Sequence, residues 1–158
     1  MKVQQILKSL TGIIAGLTIA TSAYAADSAF QSSLKILTPL SITAQSGLDF
    51  PDTESTAAQQ TVVVAPTDAG AADFNIAGEL NEAVTASVVE PSVTMTVGST
   101  NIVVDTFTFG GALASDGSGI LDGTGALAGA KVGGTATVPA NAESGSYTGT
   151  LTFRVTYQ

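Results

Sequence analysis

Ser146-Tyr147-Thr148-Gly149-Thr150-Leu151-Thr152-Phe153-Arg154-Val155-Thr156-Tyr157-Gln158 is the stretch that decides the fold class. Tyr147, Leu151, Phe153, Val155 and Tyr157 share one parity, while Ser146, Thr148, Thr150, Thr152, Arg154 and Thr156 share the other. Successive side chains of a strand point to opposite faces, so this run reads as a long half-buried β-strand with one oily and one polar side. A helix would scatter those residues around its whole circumference.

Working outward, the same period of two recurs. Phe30, Leu34, Ile36, Leu40, Ile42 and Ala44 alternate with Gln31, Ser33, Lys35, Ser41 and Thr43, and Leu37 is the one large apolar residue on the polar side. Pro39 has no N–H to give a ladder, so it divides this run into extended segments at about 29–38 and 40–44. Shorter β signals follow at 61–65, 73–77, 83–89, 93–97, 101–109 and 131–138. Turn-forming clusters punctuate them, including Gly98-Ser99, Asp116-Gly117, Asp122-Gly123 and Glu143-Ser144-Gly145. Many short strands at this rhythm predict an all-β sandwich or barrel. The glycine-dense stretch 110–130 is expected to form long surface loops within it, because glycine costs backbone entropy in strand interiors.

The first residues call for separate treatment. Lys2 and Lys8 precede the apolar run 13–20, and small residues frame Ala23-Tyr24-Ala25. A charged start, a short apolar core and an A-x-A exit make residues 1–25 a secretory signal peptide, too short to span a bilayer comfortably. The mature chain, about 130 residues, is one ordinary domain by length. It is expected to cross the inner membrane and to end in the periplasm, on the cell surface or secreted.

Composition then narrows the function. After the cut, Lys35, Lys131 and Arg154 are the only bases against all 13 acidic residues. Such a chain repels phosphate backbones, so nucleic acid is not an expected partner. Cysteine is absent, so the exported fold holds without disulfides. Histidine is absent too, which removes Ser–His–Asp and Cys–His nucleophiles and the usual zinc ligands. The acids are scattered, with only Glu79/Glu82 and Asp49/Asp52/Glu54 close in sequence, and no tryptophan offers a sugar platform. A carboxylate hydrolase is therefore not expected, and neither an enzyme activity nor a cofactor is predicted. The Asp116 and Asp122 turns have oxygen ligands of the kind calcium takes, yet match no calcium-loop spacing, and Asp-Gly is a common turn.

At its two ends the chain resembles the chaperone–usher pilins. Their last strand carries alternating hydrophobics, a penultimate aromatic and a glycine fourteen residues from the end; Tyr157 and Gly145 stand at those places. Across nearly the whole mature chain it is also similar to a family of short, mostly uncharacterised exported proteobacterial pilin-like domains. That pattern runs through Pro39-Leu40-Ser41-Ile42-Thr43, Leu48-Asp49-Phe50, Phe74-Asn75-Ile76-Ala77-Gly78, Val132-Gly133-Gly134-Thr135 and 145–150. The family usually has glycine after Leu-Asp-Phe, where this chain has Pro51.

The resemblance implies an immunoglobulin-like β-sandwich that lacks its final strand, comprising residues 39–158, behind an N-terminal extension at 26–38. In such pilins a periplasmic chaperone first lends a strand, and the next subunit's extension replaces it at an outer-membrane usher. Carried over, Phe30, Leu34 and Ile36 become the donor side chains, with Ser32 the small residue among them. Gly145, Tyr147, Leu151, Phe153, Val155 and Tyr157 become the acceptor groove and C-terminal strand. The expected function is a structural subunit of a surface pilus or fimbria, a homopolymer whose receptor the sequence does not name. The alternative is a self-complete secreted or surface β-sandwich binding module in which 29–38 pairs within its own chain.

Overall fold

The computed structural model describes residues 25–158. The leader at 1–25 lies, Ala25 apart, outside them. The chain divides into two units, 1–34 and 35–158. Residues 25–34 of the first carry no helix or strand, and Phe30 and Leu34 are 89% and 85% exposed.

The second unit is all-β. Its strands are β1 (Ser41–Ser46), β2 (Gln60–Val64), β3 (Ala72–Ala77), β4 (Ala83–Val88), β5 (Val93–Val97), β6 (Thr100–Gly111), β7 (Ser118–Ile120), β8 (Ala126–Val138) and β9 (Phe153–Tyr157). One antiparallel sheet runs β1-β3-β8-β6-β5, with β2 also on β8. The other runs β7-β4-β9. The alternating apolar residues face inward between the sheets, which makes this a sandwich-like fold.

The long strand β8 organises the larger sheet. Its first half pairs with β3, from Ala77↔Ala126 to Ala72↔Val132, and its second half pairs with β2, from Val64↔Gly134 to Gln60↔Val138. Its other edge carries β6 along most of its length. The stretch 110–130, predicted as loop, therefore holds β7 and the start of β8. Asp116 caps the turn before β7 and Asp122 the turn between β7 and β8: Asp116 Oδ1 accepts from the Ser118 N–H at 2.9 Å, and Asp122 Oδ1 from the Thr124 N–H at 2.7 Å.

The core falls into two clusters. The first joins both sheets: Ile76 of β3 and Ala130 of β8 meet Val84 and Ala86 of β4, with Leu113 and Leu121. Phe153, Val155 and Tyr157 of β9 close over it, and Phe153 stacks on Phe74 with ring centroids 4.1 Å apart. The second cluster is Ile102 and Val104 of β6 with Ala136 and Val138 of β8. It belongs to the larger sheet alone. The smaller sheet ends at Phe153 and sends no strand across it.

Candidate functional site

That uncovered half of the larger sheet floors a groove of about 730 Å³. Val62, Val93, Met95, Ile102, Val104, Ala136 and Val138 face it from four strands. Alternation explains why: in β5 the residues 93, 95 and 97 are half-buried while 94 and 96 are exposed, so one parity points at the floor.

Two extended segments without ladder pairing form the walls. One is 48–55, where Leu48 and Phe50 pack onto the floor cluster. It is tied down at its start, where the Asp49 N–H donates to the Gly70 carbonyl at 2.8 Å. The other is 142–151, the leading part of the C-terminal run, and only its continuation β9 pairs, with β4. The walls meet at one end, where the Ser55 hydroxyl donates to the Ala142 carbonyl at 2.8 Å. Among the described residues no backbone hydrogen bond is donated by 50–55 or 144–151 to another backbone group. The two walls face each other over the apolar floor, and among the described residues their backbones form no ladder with each other or with a third strand.

Glycine lets the second wall lie low. A Cβ on Gly149 would stand 2.9 Å from Val93 Cγ2 and 3.0 Å from Met95 Cγ, and one on Gly145 would stand 2.8 Å from Val97 Cγ1. Side chains there would lift the wall off β5. Glu143 pins the start of this wall: its carboxylate accepts from the Ser99 N–H and hydroxyl, which hold its pKa below the ordinary carboxylate range, the hydroxyl foremost. Thr152 fixes the other end through Glu90, whose carboxyl is likewise lowered by the Thr152 N–H and hydroxyl. The lining includes the acids Asp49, Asp52, Glu54 and Glu143 and no Lys or Arg.

The sequence-predicted acceptor residues divide between two places. Gly145, Tyr147 and Leu151 line the groove. Phe153, Val155 and Tyr157 instead pack into the closed first cluster. Neither the floor residues nor the 48–55 wall was read from the sequence as part of a site: Leu48-Asp49-Phe50 stood there only as a motif of the resemblance, although the alternation of 93–97 carried part of the signal. Of the candidate donors, Phe30, Ser32, Leu34 and Ile36 are all exposed, Ile36 at 85%. No strand is assigned between 25 and 40. Among the described residues no group of three or more acidic side chains converges as a metal cage would require.

A family described as "Domain of unknown function (DUF4402)" matches residues 49–157. No curated protein and no solved structure matches the chain.

Proposed function

The chain belongs to the DUF4402 family, and we propose that it is a structural subunit of a surface pilus or fimbria, polymerised by donor-strand exchange. The observation that carries this reading is the groove: an apolar floor between two walls whose backbones lack ladder partners. It is what an immunoglobulin-like sandwich looks like when its last strand must come from elsewhere. A strand laid there gains main-chain hydrogen bonds from the walls and side-chain burial from the floor, which is recognition by β-augmentation.

The arm at 26–38 fits such a site. Phe30, Ser32, Leu34 and Ile36 fall on one side of an extended chain and span about 20 Å at ~3.3 Å per residue. Between 28 and 38 it carries no acid, which suits walls bearing acidic charge. Burying each of the large side chains is worth about 1.5–3 kcal/mol. On this reading a periplasmic chaperone fills the groove before a neighbouring subunit does, and an outer-membrane usher exchanges the two after export.

The test is an unheated SDS gel of residues 26–158 beside 39–158. A ladder of multimers that collapses on boiling and disappears with the truncation supports strand exchange. A single monomer band from 26–158 made without a chaperone, with a cooperative melt, sinks it in favour of a self-complete module.

A further inference from the structure

The aromatic ring at the end of β9 does more than fill the core. Tyr157 donates its hydroxyl to the Thr38 carbonyl at 2.6 Å and accepts from the Glu79 N–H at 2.6 Å. The Glu79 carboxylate in turn accepts from the Thr38 N–H at 3.0 Å and from its hydroxyl at 2.7 Å. Three residues earlier, Lys35 pairs with Glu82 of the same turn. Gly78 makes room: a methyl group there would collide with the Tyr157 hydroxyl.

Both backbone groups of Thr38 are therefore held by the end of the sandwich. Pro39 restricts Thr38 to extended geometry, and the half-buried Leu40 packs against the first core cluster. An ordinary tether would leave the amide and carbonyl of such a residue to water. Here only Leu37 separates the clamped residue from Ile36, the last of the candidate donor side chains.

We propose that Tyr157 and Glu79 are positioning residues that fix the root of the N-terminal arm, so that consecutive subunits meet at a short, stiff joint rather than a free linker. This rests on the strand-exchange reading for its consequence and on the Thr38 contacts alone for its structure. With one residue between clamp and inserted strand, neighbouring domains stand about 7 Å of chain apart, at ~3.3 Å per residue. That leaves no length for independent swivelling.

The experiment uses the full mature chain 26–158 and the variants Tyr157→Phe, which keeps the ring in the core, and Glu79→Ala. Amide exchange of Thr38 is read in the monomer, and the angles between consecutive subunits are read in electron micrographs of assembled chains. The Thr38 amide is expected to be protected in the wild type and to lose about tenfold or more of that protection in either variant, as a local opening would allow. The assembled variants are expected to show a broader angle distribution and a shorter persistence length. A Thr38 amide that exchanges freely in the wild type, or equally in wild type and variants, overturns the clamp. Equal angle distributions overturn the stiff joint. Should the wild type never assemble, the functional reading falls while the amide data still decide the clamp.

Discussion

Leu34→Ala is the sharpest probe of the donor side chains. Leu34 is 85% exposed, so nearly its whole side chain is available for burial in a neighbour. Truncation to alanine removes about three methylene equivalents at ~0.8 kcal/mol each, or about 2 kcal/mol once scaled by that exposure. At 1.4 kcal/mol per factor of ten this is about thirtyfold in donor affinity. Most such differences appear in dissociation rates. Preformed multimers carrying the substitution, chased with excess peptide 26–38, should therefore shed subunits about thirtyfold faster than the wild type. Ser33→Ala is the control, because residue 33 has the opposite parity and should face away from the floor. Its multimers should dissociate within about twofold of wild type, as isolated surface changes usually do. Equal rates for the two variants would refute the sidedness on which the donor argument depends.

Gly149→Val should push the second wall off Val93 and Met95, lowering stability by about 1–3 kcal/mol as overpacking does, with the loss read in a thermal melt. Thr106 sits at φ 53°, a left-handed conformation that costs a β-branched residue about 1–2 kcal/mol, so Thr106→Asn should raise the melting temperature by a few degrees. An unchanged or lower melting temperature would mean that the angle costs β6 nothing. Glu79, Glu90, Glu143, Asp116 and Asp122 all have pKa values below their ordinary range because hydroxyls and N–H groups bond their charged forms. Their stabilisation is thus complete above the ordinary carboxylate range and is lost as pH falls through the lowered values. The melting temperature should stay level from neutral pH down to about 5 and decline below about 4; a decline that begins near neutrality would contradict it.

The sequence exposed the strands better than the site, for physical reasons. In 93–97 and 106–109 apolar residues alternate with threonines, and β5 and β6 lie there. The run Ala126-Leu127-Ala128-Gly129-Ala130 has no β-branched residue and no clean alternation, so it read as loop. What makes it strand is nonlocal: β3 pairs with it from Ala126 to Ala130, and β6 joins the other edge at Ala130. The C-terminal run alternates from 146 to 158, yet ladder pairing is confined to Phe153–Tyr157. Parity reports which face a side chain takes and says nothing about whether a neighbouring backbone is there to pair. For the same reason the 48–55 wall stayed hidden, since a wall is defined by the partner it lacks. Tyr157 was legible as a landmark of resemblance; its grip on Thr38 was not, because the two lie 119 positions apart.

The C-terminal segment also has a mechanical meaning. One wall of the groove, residues 142–151, continues without interruption into β9 and ends at the Tyr157 contact with Thr38. On the strand-exchange reading, tension in an assembled fibre would draw one neighbour against the wall and the other against the clamped root, at opposite ends of a single strand. With both pulls on the one strand, the load would run along the β9 backbone itself, and the bonds between β4 and β9, from Val84↔Tyr157 to Val88↔Phe153, would lie beside that path rather than in it. On that reading covalent backbone carries the tension from the groove to Tyr157, and the non-covalent link in the path is the Tyr157 contact with Thr38.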